Sequence, residues 1–223
     1  MKNFQKLGSL LLAVLMILSL AACGNKTNNT PAQTPSNDTP TENTPAETPD
    51  DTANGEADNT TSGGKVLVVY YSATGNTERV ANAIAEATGG DLFELTPVEP
   101  YTDADLNWTD EDSRVVYEYE NPDQRDTELV TYAPDNWADY DVVFVGYPIW
   151  WYDAAWPVEG FVTENDFTDK TVIPFCTSSS SGIGESGERL AGLAGTGDWL
   201  EGERFRSSAS DDDVQAWVDS LDL

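Results

Sequence analysis

The apolar positions of this chain fall into three regimes. Leu10 to Leu20 is an almost unbroken apolar run, Asn25 to Gly64 has four alanines as its only apolar side chains, and from Lys65 onward short apolar runs alternate with polar stretches. Lys65-Val-Leu-Val-Val-Tyr-Tyr71 has the continuous, β-branched hydrophobicity of a parallel strand buried on both faces. After a polar turn over Ser72–Thr77, Val80, Ile84 and Ala87 recur at helical spacing, which predicts a helix over Glu78–Thr88, stopped by Gly89-Gly90. Asp91–Leu95, Asp141–Gly146 and Thr171–Cys176 read as further strands, with Leu200–Phe205 a weaker fifth. Pro157–Asn165, Glu185–Leu193 and Asp211–Leu221 are expected as helices. Within the long segment Thr96–Tyr140 the pattern predicts one short helix, capped by Thr109 with acids in its first turn and ended before Pro122.

Strands that alternate with helices over residues 65–223 predict a single α/β domain, a doubly wound five-stranded parallel sheet with helices on both faces. Ligands of such sheets sit outside the carboxyl ends of the strands, where the strand order reverses. The polar loops after the first, third and fourth strands are therefore the places to look for chemistry.

The two N-terminal regimes belong to a different part of the protein's life. Lys2 and Lys6 precede the apolar run, which is too short for a bilayer span and leads into Leu20-Ala21-Ala22-Cys23. That sequence resembles a bacterial lipobox. The resemblance implies a signal peptide over residues 1–22, cleavage before Cys23 and a diacylglycerol on its sulfur; an ordinary signal peptide with an incidental cysteine is the plainer alternative. No twin-arginine pair precedes the run, so Sec-type export is expected. Residues 23–64 are expected to form a tether. Ten Thr, seven Asn and five Pro among Asn25–Gly64 cannot offset their ordering entropy by burial. As a flexible coil this stretch would span roughly 35 Å.

Charge then narrows the chemistry. The chain has 40 acidic and 11 basic residues, a formal charge of −29, and no histidine. Imidazole-based nucleophile systems and histidine-ligated metal sites are excluded, and a Lys/Arg footprint for nucleic acid is missing. Two cysteines supply neither a disulfide framework nor a Cys-rich zinc site. Most of the acidity lies in residues 65–223, with 33 acidic against 8 basic side chains. Redox chemistry on a bound cofactor, carboxylate chemistry and binding remain.

The first loop, Ser72-Ala73-Thr74-Gly75-Asn76-Thr77, joins a buried strand to a helix. Backbone N–H groups at a helix N-terminus bind anions, Gly75 lets the chain turn closely around one, and three hydroxyls add donors. No lysine follows the glycine, so this is not a nucleoside-triphosphate loop; it suits a phosphate monoester held by neutral donors. A polar turn without a ligand is the plainer alternative. The third-strand loop, Gly146-Tyr147-Pro148-Ile149-Trp150-Trp151, together with Tyr152 and Trp156, gathers aromatics that can stack on a planar ring or fill a core. The loop after the fourth strand, Thr177-Ser178-Ser179-Ser180-Ser181-Gly182, offers N–H and hydroxyl donors or is simply solvated.

Together these segments are similar to the flavodoxins. Ser72-x-Thr74-Gly75-Asn76-Thr77 resembles their FMN-phosphate loop, and Gly146–Trp151 the ring-contacting loop of a bacterial flavodoxin-like subfamily. Ile173-Pro174-Phe175-Cys176-Thr177 and the Ser113-Arg114 pair are also similar to segments of that subfamily. The resemblance implies strand order 2-1-3-4-5 and FMN as cofactor. It implies FMN contacts from Ser72, Ala73, Thr74, Gly75, Asn76 and Thr77, from Pro148, Ile149, Trp150, Trp151 and Tyr152, and from Thr177, Ser178, Ser179 and Gly182. Tyr152-Asp153-Ala154-Ala155 departs from the subfamily's commoner small residues and threonine.

Four other patterns read as structure. Gly182-Ile-Gly-Glu-Ser-Gly187 has dinucleotide-loop spacing but follows the wrong strand. Asp103-x-Asp105-x-Asn107 opens like a calcium loop, yet Trp108 stands where glycine is needed. Arg114 and Glu118 read as a surface ion pair, and Cys176 as an inert core thiol. The leading expectation is an FMN-binding electron carrier, lipid-anchored outside the membrane, whose redox partner presents a basic docking face. An FMN-dependent NAD(P)H:quinone-type reductase and a flavin-free binding lipoprotein are the alternatives.

Overall fold

A computed structural model describes residues 64–125 and 128–223. The signal peptide, the lipidation site at Cys23 and the tether up to residue 63 lie outside the described residues.

The apolar runs form the sheet that their two-sided burial requires. Strands β1 (Val66–Tyr70), β2 (Asp91–Glu94), β3 (Val142–Trp150) and β5 (Thr171–Thr177) lie parallel in the order β2-β1-β3-β5. Val68 pairs with Leu92 on one side and Phe144 on the other, and Val145 with Pro174. The outer position holds two short parallel strands, β6 (Asp198–Trp199) and β7 (Glu203–Phe205), both paired to β5. The weak strand expected over Leu200–Phe205 is thus split and begins earlier. Leu200 N donates to Val172 O at 2.9 Å, and Pro174, two residues on and facing the same edge, has no N–H to continue the ladder.

Alternate strand residues face opposite cores. Val68, Tyr70, Phe144, Ile173 and Phe175 pack under helices α1 (Asn76–Thr88) and α5 (Asp211–Asp219), with Val80, Ile84, Val214 and Val218. Leu67, Val69, Val143, Val145 and Val172 pack under α3 (Pro157–Glu164) and α4 (Ser186–Ala194), with Val158, Phe161, Val162 and Leu190. A doubly wound sheet is the result. Where β3 pairs with β5, a Cβ on Gly146 would lie 2.1 Å from the ring of Phe175, so the glycine leaves room for that ring to lie across it.

Two expected elements differ. The helix in the long β2–β3 connection, α2 (Arg114–Glu120), is capped by Ser113, whose hydroxyl accepts from Val116 N. Thr109 instead donates to Asn107 Oδ1 within the preceding turn, so it caps nothing. The third strand also continues past Gly146. Ile149 and Trp150 pair antiparallel with Ala154 and Asp153 of β4 (Asp153–Ala154), which makes a hairpin of the expected aromatic loop. The expected helix over Asp211–Leu221 forms as α5, opened by a reciprocal capping box between Ser210 and Asp213.

Candidate functional site

Three loops at the carboxyl end of the sheet, joined by the β2–β3 connection, enclose a cleft of about 530 Å³. Ala73 and Thr74 come from the β1–α1 turn and Ser180 and Ser181 from the β5–α4 loop. Pro148 to Tyr152 come from the hairpin, and Leu106, Trp108 and Val115 from the β2–β3 connection. None of these residues carries a charge.

The β1–α1 turn is shaped by Gly75, at φ 80°, which directs the chain into α1. A side chain there is strained by that φ, while the space its Cβ would enter holds nothing within 4 Å. Ser72 Oγ accepts from Glu78 N at 3.2 Å, and Thr74 Oγ1 accepts from Asn76 Nδ2 at 3.1 Å. The buried hydroxyls of Thr77 and Thr177 bond to each other at 2.8 Å. They tie the first helical turn to the end of β5 and fix the spacing of the two loops.

Trp151 and Tyr152 turn the hairpin with φ of 47° and 69°. A two-residue hairpin loop with this twist needs positive φ at both central positions. Two large aromatics hold a conformation that costs on the order of 1 kcal/mol or more each outside glycine, so the surroundings must impose it. They do so on both sides. Trp151 lies in parallel contact with Tyr119 of α2, centroids 4.6 Å apart, and with Trp156, 6.3 Å apart. Trp150 meets Tyr71, Tyr101 and Trp156 edge-on. Tyr152 is 80% exposed.

An ionic frame locks the hairpin from below. Arg189 of α4 pairs with Asp153 at 2.6 Å and with Glu159 of α3, and Arg125 also reaches Glu159, at 3.3 Å. The Arg125 guanidinium sits 3.8 Å from the centre of the Trp156 ring. On the other side Glu118 accepts from Arg114 Nε at 2.7 Å and from the Tyr101 hydroxyl at 2.5 Å. Glu118 is only 3% exposed, so the pair expected at the surface is internal. α2 turns it inward because Tyr101 and the Glu99 carbonyl, to which Arg114 donates at 2.7 Å, fold over it. Burial, and then the bond to Glu118, pushes the Tyr101 phenol up.

The sequence-derived site residues therefore separate. Ala73, Thr74, Pro148, Ile149, Trp150, Trp151 and Tyr152 share the cleft wall. Ser72, Gly75, Asn76 and Thr77 shape the turn behind it. Tyr147 and Trp156, grouped with the cleft aromatics by their place in the sequence, are fully buried beneath it, Tyr147 bonding to Ser186 Oγ at 3.0 Å. In the β5–α4 loop Ser180 and Ser181 reach the cleft where Ser178, Ser179 and Gly182 were expected. Arg204 of β7 accounts for this: its Nε and Nη2 donate to Ser178 Oγ and O, each at 3.0 Å, and hold Ser178 toward the sheet edge. Leu106, Trp108 and Val115 escaped the sequence reading. The available signal was Trp108 itself, an aromatic stranded among Asp and Asn with no apolar partner at core spacing.

Comparison with known proteins sharpens the picture. A family model described as Flavodoxin matches residues 65–221. A candidate flavoprotein from Bacteroides eggerthii, of known crystal structure, is 38% identical with a TM-score of 0.65, covering 72% of this chain and 99% of that one. Another, from Bacteroides uniformis, is also 38% identical at a TM-score of 0.65, with 70% and 99% covered. A Lactobacillus acidophilus flavoprotein in complex with FMN is 21% identical at a TM-score of 0.52, covering 70% of this chain and 99% of that one, a likeness of fold. No curated protein matches.

Proposed function

Because the chain belongs to the flavodoxin family, we propose that it binds FMN noncovalently and carries electrons at the outer face of a membrane, anchored through a lipid on Cys23. The observation that carries this is the cleft at the carboxyl ends of β1, β3 and β5, uncharged, lined by aromatic and apolar side chains and backed by a glycine turn that opens α1. These residues suit the group. The 72–77 turn offers hydroxyls and a helix N-terminus to a phosphate, with open space at Gly75, whose φ of 80° disfavours a side chain. Trp150, Trp151, Pro148 and Ile149 offer a rigid apolar wall to a ring, and Ser180 and Ser181 offer polar groups to its edge.

When bound, FMN supplies one- and two-electron redox chemistry that no side chain here performs. The chain's part is to orient the ring, exclude water from one side and set its potential. Its net carboxylate excess disfavours added negative charge in the cleft, which lowers the potential for the second electron. The lipobox-like Leu20-Ala21-Ala22-Cys23 supports the anchor, and the acidity of the domain supports a redox partner with a basic face.

The test is colour. The purified protein, mixed with FMN and passed over a desalting column, is expected to keep a yellow flavin with a shifted, structured visible band. Protein at micromolar concentration that emerges colourless overturns the proposal.

A further inference from the structure

The flavin reading leaves Trp108 unused. It is 72% exposed on the described surface, although it lines the cleft with Leu106 and Val115. Single exposed apolar side chains are ordinary on a folded surface, but this indole borders a cleft, where a planar ligand can cover it. Nor is its position loose. Asp105 accepts from Thr102 N at 2.8 Å and from its hydroxyl at 2.7 Å, and its own carbonyl accepts from Val115 N at 3.0 Å. Those bonds close the chain around Trp108 on both sides.

Charge decides what the indole fits. Asp103, Asp110, Glu111 and Asp112 flank Trp108 and are all exposed. The nearest cation in the same segment, Arg114, is bound to the buried Glu118. No lining residue of the cleft is charged, so an anionic ligand gains no ion pair there, and the exposed carboxylates that flank Trp108 in the chain disfavour it. A positively charged aromatic ring gains twice, from stacking on the indole face and from those carboxylates.

We propose that the outer wall of the cleft, formed by Trp108 with Leu106 and Val115, is a seat for a planar aromatic cation. The assignment deepens the flavoprotein reading and rests on it in one respect, that FMN occupies the inner part of the same cleft and leaves this wall open. It names the second ligand's chemistry: a flat, positively charged ring system, as opposed to an anionic dinucleotide.

The test uses two fluorescent dyes of similar size and opposite charge, proflavine as the cation and 9-anthracenecarboxylate as the anion. Their binding to the whole chain, with and without FMN, is followed by fluorescence anisotropy at low and high salt. Proflavine is expected to bind at least tenfold more tightly than the anion, and to weaken as salt rises. Trp108→Ala should lose about tenfold in proflavine affinity and Trp108→Phe much less, with circular dichroism unchanged because the side chain is outside the core. Equal affinity for the two dyes, or an unaltered Trp108→Ala variant, overturns the proposal. So does one-for-one displacement of proflavine by FMN, which would make Trp108 part of the flavin's own seat. A chain that retains no FMN yet still discriminates the dyes through Trp108 defeats the flavin reading and leaves this seat standing.

Discussion

Gly75 and Cys176 show how differently single residues at one sheet end are constrained. Gly75 is set by backbone: its φ of 80° strains any side chain, although nothing lies within 4 Å of where a Cβ would stand. Gly75→Val is expected to fold, with a melting temperature a few degrees lower, and to weaken FMN binding by more than tenfold in a fluorescence titration. Unchanged affinity would defeat the assignment of the 72–77 turn to the phosphate. Cys176 is set by burial, which pushes its thiol from 9.0 up to about 12. The folded thiol is therefore inert at neutral pH, and Cys176 should be labelled by a thiol reagent at pH 8, as read by peptide mapping, only after denaturation. The sign of the linkage follows. A raised folded pKa contributes stability that is complete below pH 9 and is lost as pH climbs toward 12. The buried phenol of Tyr70, also pushed up to about 12, acts in the same direction. Urea midpoints measured from pH 8 to 11 should fall steadily.

At the scale of elements, the hairpin β3–β4 and helix α2 are held by ion pairs of unequal worth. Glu118 is almost wholly buried between Arg114 and Tyr101. Removing it takes a carboxylate from the Arg114 guanidinium and the acceptor from the buried Tyr101 phenol, so Glu118→Ala is expected to destabilise the domain by about 3 kcal/mol. The Arg79–Asp211 pair joins α1 to α5 at 3.4 Å with Asp211 side chain 76% exposed. Asp211→Ala should cost under about 1 kcal/mol. Chemical denaturation of the two variants checks the contrast; equal losses would mean that Glu118 is better solvated than its surroundings indicate. Much of this scale was legible beforehand. Val80, Ile84 and Ala87 announced α1, and the run Thr171–Cys176 announced β5, because the partner face of each is encoded in its own spacing. The start of α2 was not legible: Thr109 and Ser113 are both competent caps, and the turn around Asp105 and Thr102 decides between them.

The whole molecule is dominated by its charge. Of the eight basic residues in 65–223, Lys65, Arg79, Arg114, Arg125 and Arg189 make ion pairs, while Lys170 and Arg204 bond to backbone carbonyls. The surface is left strongly anionic, and self-repulsion opposes compaction. Raising NaCl from 10 to 150 mM shortens the Debye length from about 30 Å to about 8 Å. The thermal midpoint should therefore rise over that range in a calorimeter, and a midpoint that falls would mean the internal ion pairs outweigh the repulsion.

What the sequence alone determined is what short-range pattern can carry. Two-sided apolar runs required a doubly wound parallel sheet, a glycine between hydroxyls called for a tight turn into α1, and the acid count left no Lys/Arg footprint for nucleic acid. Which aromatics face the cleft was decided by tertiary structure. Tyr147 and Trp156 look as available as Trp150 and Trp151 when read along the chain. Burial of the first two follows from contacts with Ser186, 39 positions from Tyr147, and with Arg125, 31 positions before Trp156. Trp108 joins the cleft only because its segment packs beside the turn after β1 and the hairpin at the end of β3. Neighbouring residues share a strand or a helix through local hydrogen bonds; they share a site only when distant segments pack, and that packing has no period for a sequence to display.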